Sequence, residues 1–139
     1  MTRRELRENT FILLFHREFH ETDEMEEQFT LFMEEYNDLQ TDEFKNISDK
    51  DKSFIHDRVF DIIPKIKEID EAINSVAEGW STGRMGRVDL TILRLAYYEI
   101  KYDKDVPAAV AINEAVELAK KFGGETSPAF INGILAKVV

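Results

Sequence analysis

Three arginines stand close to the start of the chain, in the run R-R-E-L-R at positions 3–7. Arg3 and Arg7 are four residues apart and share one face of a helix, with Arg4 beside them. Such side chains can contact phosphate, whereas positive charge at a helix N-terminus opposes the helix dipole. Helix stability therefore does not account for them. From the residues alone two interpretations stay open: a phosphate contact, or ion pairs with the neighbouring glutamates on a solvated surface.

Two histidines, His16 and His20, have the i, i+4 spacing that places two imidazoles on one helix face. HEXXH zinc chemistry needs a glutamate directly after the first histidine, but the run here is H-R-E-F-H. The chain contains no cysteine, no P-loop, no G-x-G-x-x-G and no G-x-S-x-G. We therefore expect no metal site, no cofactor and no enzyme activity.

The formal net charge of −10 argues against a nucleic-acid partner until its distribution is considered. Residues 21–43 contain ten acidic side chains and neither Lys nor Arg, so this segment accounts for the whole net charge. The rest of the chain is neutral overall, and a local basic patch can persist there. The acidic segment should weaken long-range attraction of RNA.

Length and composition predict one globular domain over residues 1–139, because the chain has no internal repeat and is long enough for a core. The lack of cysteine favours a reducing cytoplasm. The first residues are charged, and no uncharged run approaches the length of a membrane span. We expect a cytoplasmic protein that is neither secreted nor membrane-spanning.

Apolar side chains follow the helical period throughout, and no segment alternates with period two. The fold class is therefore predicted to be all-α, with about seven helices and a connection at 40–47. Ser48 is the predicted N-cap of the third helix, and Pro64 should interrupt the chain after it. The predicted helices are 3–20, 23–39, one from Ser48 to Pro64, one through Val76, one around 88–100, one after Asp105 and Pro107, and one from Ser127.

The segment 88–100 has too many apolar residues for one helix face, which is typical of a helix surrounded by others. The next helix should end at the glycines at 123 and 124, with a left-handed glycine cap. Ser127 and Pro128 then start the last helix.

Four runs in this half resemble the NusB family of bacterial transcription antitermination factors: I-L-R-L-A-Y-Y-E at 92–99, D-V-P at 105–107, I-N-E-A-V-E-L-A-K-K-F-G at 112–123 and F-I-N-G-I-L at 130–135. The N-terminal R-R-E-L-R fits as well. The resemblance implies two small helical bundles joined around the central helix. It also implies an RNA-binding antitermination factor, a monomer or weak homodimer, that pairs with ribosomal protein NusE on boxA-like single-stranded RNA. Together they modify RNA polymerase, notably in ribosomal RNA transcription.

The resemblance also implies site residues, because the family binds RNA through its N-terminal arginines and the junction before the last helix. Phe15 stands where the family often has Tyr, and Thr126 where some members have Asp. Carried over to this chain, the implied RNA contacts are Arg3, Arg4, Arg7, Phe15, Lys120, Lys121, Phe122, Thr126, Ser127 and Phe130.

For the NusE partner the resemblance points to Asp89 and Glu114. Each has a structural alternative: Asp89 can favour a helix dipole and Glu114 can pair locally. Phe122 and Phe130 can stack on bases or serve as hydrophobic caps. Arg94 and Glu99 are more readily explained as structural partners that satisfy one another's buried charge.

Two other function classes stay open. The first is an accessory domain of the kind fused to ribosomal RNA methyltransferases, which the end of the chain at Val139 disfavours. The second is an acidic helical protein-interaction module without RNA binding, for which the segment 21–43 would be the active surface.

Overall fold

A computed structural model describes residues 1–38 and 47–139 of the chain, with side chains from 1–35 and 47–139. These ranges contain α-helices and short 3-10 turns at Thr22–Glu24, Ile63–Lys65 and Thr82–Arg84, and no strand. The predicted all-α class is confirmed. None of the described helices has the length and apolar character needed to span a bilayer. The helices are α1 (Arg3–His16), α2 (Met25–Asp38), α3 (Asp49–Ile62), α4 (Ile66–Val76), α5 (Arg87–Tyr102), α6 (Ala108–Phe122) and α7 (Ser127–Val138).

The chain divides into two compact units, Met1–Ile63 with α1 to α3 and Pro64–Val139 with α4 to α7. A single domain over residues 1–139 stays a prediction. In the first unit α1 packs against α2 and α3. Its apolar side chains are removed from water at the positions that the helical period selected; among them are Leu13, Met25, Ile55, Val59 and Ile62.

Helix α1 begins with a capping box. The Thr2 hydroxyl accepts from the Glu5 N–H, and the Glu5 carboxylate accepts from the Thr2 N–H at 2.9 Å. These bonds hold the pKa of Glu5 below its usual value. The predicted end at residue 20 was wrong, because the helix ends at His16. The following N–H groups bond three residues back, as with Arg17 N to Leu14 O at 3.1 Å, and this tightens the chain out of the α-helix.

Between the first two helices, residues 22–24 form a 3-10 turn rather than the predicted start of a helix at 23. The predicted connection at 40–47 lies outside the described residues except for Ile47. Ser48 is confirmed as the N-cap of α3, since its hydroxyl accepts from the Asp51 N–H at 3.1 Å. Pro64 lies in the 3-10 turn that separates α3 from α4, as predicted.

Helix α5 is the axis of the second unit and packs against α4, α6 and α7. Its residues 90–96 are all buried, which confirms the prediction of a helix enclosed on several sides. Because α5 runs through the unit, it sets the positions of both the loop before it and the helices that follow it.

Asp105 and Pro107 precede α6 as predicted, but Asp105 does not cap the helix. The helix begins at Ala108 with Pro107 in the N-cap position and no side-chain cap. The Asp105 N–H instead donates to the carboxylate of Asp103 at 3.0 Å. Asp103 and Asp105 therefore form an Asx-type turn before the helix.

The left-handed glycine cap predicted after α6 was wrong as well. Gly123 has φ −93° and ψ −173°, which is extended backbone. A Cβ at this position would lie 2.7 Å from the Ser127 Cβ and 2.8 Å from the Ala119 carbonyl oxygen. Glycine is needed here because α7 returns closely against the end of α6.

Candidate nucleic-acid interface

The arginines of α1 lie at the start of a helix that is already capped. Arg3 and Arg4 are exposed, and Arg7 is half-buried. The N-terminal ammonium group pairs with Asp51 of α3 at 2.9 Å, which lowers the pKa of that carboxyl. Arg3 and Arg4 therefore place positive charge at the surface of the first turn, where Glu5 is also exposed.

Phe15 lies near the other end of α1, in a row of aromatic rings. Its ring centroid is 6.2 Å from that of Phe11 and 5.3 Å from that of Phe19. Phe11 is buried and Phe15 is half-buried, while 68% of Phe19 is exposed. The predicted site includes only Phe15 of these three rings, although the sequence shows the i, i+4 spacing of all three.

The junction between α6 and α7 carries the lysines of the predicted site. Lys120 and Lys121 are exposed in the last turn of α6, where cations favour the helix dipole. The Lys120 ammonium lies 3.3 Å from the Glu117 carboxylate, an exposed pair of small energetic weight. The Lys121 ammonium lies 5.5 Å from the ring centroid of Phe122, which is half-buried. A cation and a partly accessible ring are therefore adjacent.

Ser127 is buried, unlike the other predicted residues at this junction. Its hydroxyl accepts from the Gly124 N–H at 3.0 Å, so the side chain holds the junction together. Thr126 is exposed at the N-cap position of α7 and makes no side-chain capping bond. The start of α7 therefore retains the dipole of an N-terminus that no side chain caps.

Phe130, one turn into α7, contacts an aromatic residue that sequence analysis did not select. The Trp80 ring meets it edge to face, with centroids 5.3 Å apart. The Arg84 guanidinium carbon lies 5.8 Å from the Trp80 ring centroid. The contact joins residues fifty positions apart. The sequence shows only that Trp80 is followed by Arg84 four positions later.

The two acidic residues predicted for the protein partner lie on packed helices of the second unit. Asp89 is half-buried in the first turn of α5, and Glu114 is half-buried in α6. Asp89 is placed to favour the dipole of α5. The structural alternatives therefore stay open beside the predicted partner contact.

The histidine pair on α1 is not arranged around a shared point. The rings of His16 and His20 are 6.4 Å apart, and His16 packs edge to face on Phe32. Burial lowers the pKa of His16. Among the side chains of residues 1–35 and 47–139, no group of three or more His, Cys, Asp or Glu is placed to hold a metal ion.

The helices described over residues 1–38 and 47–139, with no strand among them, place the chain in the class of small all-α proteins. The sequence model of the NusB family matches residues 4–139, and the chain belongs to this family. The transcription antitermination protein NusB of Lachnoclostridium phytofermentans is 47% identical over 139 residues, covering 100% of this chain and 99% of the relative.

Solved structures of the same family share the fold. NusB of T. maritima superposes with a TM-score of 0.82 at 36% identity, covering 99% of this chain and 90% of that one. A structure of antitermination factors NusB and NusE in complex with dsRNA gives a TM-score of 0.79 at 26% identity, covering 98% of this chain and 94% of that one. The predicted family resemblance is confirmed.

Proposed function

We propose that this protein is an RNA-binding transcription antitermination factor. It pairs with ribosomal protein NusE on boxA-like single-stranded RNA and acts on RNA polymerase as part of an antitermination complex, notably in ribosomal RNA transcription. It works in the cytoplasm, as a monomer or weak homodimer in the absence of RNA. Its role is binding, and the proposal includes no catalytic step.

The observation that carries the proposal is the basic start of α1. The side chains of Thr2 and Glu5 already accept hydrogen bonds from backbone N–H groups at the start of α1, so the helix does not need further capping. Arg3 and Arg4 nevertheless place two exposed positive charges there, against the favourable sign of the dipole. The dipole of α1 does not favour this placement, whereas an anionic ligand would.

The α6–α7 junction supports the same ligand in the second unit. Lys120 and Lys121 supply exposed charge, and Phe122 and Phe130 are partly accessible rings. Single-stranded RNA is commonly held by such a combination of backbone charge and base stacking. We assign Thr126 a contact through its exposed side chain. Ser127 contributes by fixing the geometry of the junction, since its hydroxyl accepts an internal hydrogen bond.

The relation to the NusB–NusE structure supports the choice of protein partner. Asp89 and Glu114 are the acidic residues that we assign to NusE. Both are half-buried rather than fully solvated, and a partly desolvated carboxylate interacts more strongly with a basic partner than a fully exposed one.

A protein-interaction module without RNA binding is the second candidate, and the exposed face of α2 favours it. Glu26, Glu27, Glu34 and Glu35 are exposed on this helix, and 48% of Leu31 is exposed among them. A basic protein could cover such a face, whereas RNA would be repelled from it.

The test is an RNA titration with boxA-like single-stranded RNA, performed with and without purified NusE. We expect weak binding by the protein alone and tighter binding with NusE, because the basic patch is small and α2 opposes RNA. A duplex of the same sequence and a scrambled single strand measure strand and sequence preference. NusE binding without any RNA binding would instead support the interaction module.

A further inference from the structure

Trp80 lies at the surface in the loop between α4 and α5, which contacts of other residues also hold in place. The loop between α4 and α5 is tied to α4 by Asn74, whose side-chain carbonyl accepts from the Thr82 N–H at 2.8 Å. The buried Met85 anchors the other side of the loop, with 4% of its surface exposed. Half of Trp80, 49%, remains exposed. The loop, which Asn74 and Met85 hold in place, thus leaves about half of a large aromatic ring exposed to solvent.

The ring has an aromatic residue on one side and a cation beside it. Phe130 meets it edge to face at 5.3 Å, and the Arg84 guanidinium carbon lies 5.8 Å from its centroid. An edge-to-face contact supports the indole without covering both of its faces. Phe130 is itself part of the junction assigned to RNA. Trp80 therefore extends that junction outward with a more accessible ring.

We propose that Trp80 and Arg84 form a stacking site for one unpaired base of single-stranded RNA. Phe130 supports the Trp80 ring through their edge-to-face contact. The base stacks on the indole, and the guanidinium contacts the phosphate next to it. The inference rests on the function proposed above and adds two residues to its RNA surface. Base–aromatic stacking tolerates any base, so this site contributes affinity rather than sequence preference.

Tyr102 provides a contrasting arrangement in the same unit. It is 42% exposed, packs on Tyr98 with centroids 5.4 Å apart, and has the Lys65 ammonium 5.5 Å from its ring. Its hydroxyl, however, donates to the carboxylate of Glu68. Negative charge at this ring disfavours a nucleotide. Near Trp80 the closest glutamate in sequence, Glu78, is 3.7 Å from the Lys137 ammonium and so partly neutralised.

The chain contains a single tryptophan, so its fluorescence reports on this site directly. The experiment titrates boxA-like single-stranded RNA into the protein bound to NusE, with the Trp80→Phe complex measured in parallel to subtract emission from NusE. We expect RNA to quench the Trp80 emission. A series of RNAs with one abasic position each should lose the quench at one nucleotide.

Binding by variants tests the energetic contribution. Trp80→Leu should weaken RNA affinity by about 5- to 150-fold, the effect of one lost stack, while Trp80→Phe should retain most of it. Arg84→Gln should reduce the log–log salt slope by about 0.7, one phosphate contact. Tyr102→Leu is the matched control and should bind RNA like the parent. Thermal melts and NusE binding are measured for every variant.

The outcomes separate this inference from the proposed function. If the parent binds RNA, but its emission does not change and Trp80→Leu and Arg84→Gln bind like the parent, the stacking site is wrong and the proposed function stands. If Trp80→Leu loses NusE binding instead of RNA affinity, the ring contacts protein and the inference is also wrong. If the parent itself binds no RNA, the proposed function fails first.

Discussion

Arg94 of α5 and Asp70 of α4 form a two-point ion pair in the second unit. The Arg94 Nε lies 2.8 Å from one carboxylate oxygen of Asp70, and Nη2 lies 2.8 Å from the other. Arg94 is 5% exposed, so the pair ties the central helix to its neighbour through a largely desolvated guanidinium. The arginine of the family motif at 92–99 therefore has a structural role, as expected, but the carboxylate that it binds at two points is that of Asp70, whereas the sequence had suggested Glu99.

Replacing Asp70 by Asn should lower the free energy of unfolding by about 3 kcal/mol, because it removes the carboxylate that binds a largely buried guanidinium at two points. Urea unfolding of the parent and the variant measures this. The control is Glu71→Gln, which removes the same charge from an exposed neighbour and should have almost no effect. Equal effects of the two substitutions would show that the pair contributes nothing specific.

Leu93→Ala should lower the free energy of unfolding by about 2–5 kcal/mol, since Leu93 is fully buried in α5 and truncation leaves a cavity. Leu95 is 2% exposed, and Leu95→Ala should lower the free energy of unfolding by a similar amount. Leu31→Ala on the exposed face of α2 is the control and should change stability little. A parent-like melt for both core variants would contradict the enclosed position of α5.

The period of apolar residues was sufficient to predict the helices. A helix that buries one face has apolar residues at a spacing of three to four, and a helix that buries all faces has them at almost every position. The apolar pattern at residues 88–100 predicted α5 as the enclosed helix, whereas the break after α3 was predicted from the proline at position 64. The ends of the helices were harder to predict from the sequence. The end of α1 at His16 depends on local i→i−3 bonds that compete with continuation of the helix, and nothing in the residue types at 17–20 excludes that continuation.

Contacts between distant residues could not be predicted from spacing. The role of Gly123 was misassigned because glycine after a helix usually indicates a left-handed conformation. Here glycine is required because the start of α7 packs so closely on the end of α6 that a Cβ would not fit. Ser127 was assigned to the RNA surface, but its burial follows from the same close return. The contact of Trp80 with Phe130 was likewise invisible, since it requires knowing how the α4–α5 loop lies against α7.

Gly123→Ala should destabilise the protein by about 1–3 kcal/mol, because the added Cβ would approach Ser127 Cβ and Oγ to 2.7 Å. Gly133→Ala within α7 is the matched control. A Cβ there meets nothing within 4 Å, and alanine should stabilise the helix by about 0.5–1 kcal/mol. Thermal melts of the two variants should therefore shift in opposite directions; a shift in the same direction would contradict the close packing at Gly123.

His56 should make the stability of the first unit dependent on pH. Its Nε2 lies 2.8 Å from Glu26 of α2 and its Nδ1 lies 3.1 Å from Asp57. Burial lowers the pKa of His56, but the hydrogen bonds to Asp57 and Glu26 outweigh it, and the net pKa is raised. A raised folded-state pKa stabilises the fold below the unfolded value of about 6.5, and this stabilisation is lost as pH rises through the folded value.

The variant His56→Gln should therefore lose more stability relative to the parent at about pH 5.5 than at about pH 8.5. The comparison with the parent matters because the lowered pKa of His16 acts in the opposite sense and destabilises the fold as pH falls. Urea unfolding at both pH values measures the difference. Glu26→Gln should reduce the pH dependence, and a variant equally destabilised at both pH values would rule out the titration of His56 as its source.

Changing Arg3, Arg4 and Arg7 together to Ala should reduce RNA affinity without unfolding the protein. The capping box of Thr2 and Glu5 remains, and exposed charges such as those of Arg3 and Arg4 contribute little to stability. Contacts to phosphate add to affinity for every sequence, so binding should fall for boxA-like and scrambled RNA alike. The log–log salt slope should become shallower by up to about 2, at about 0.7 for each lost contact to a single strand.

The matched control for this variant changes three exposed lysines outside the proposed RNA surface, Lys50, Lys67 and Lys104, to Ala. It removes the same total charge, so it measures how much of the effect comes from the net charge alone. RNA titrations with NusE present and thermal melts are compared for the parent and both triple variants. If the arginine variant loses its melting transition at moderate temperature but, while folded, binds RNA like the parent, the arginines are structural, and the RNA surface is confined to the junction at residues 120–130.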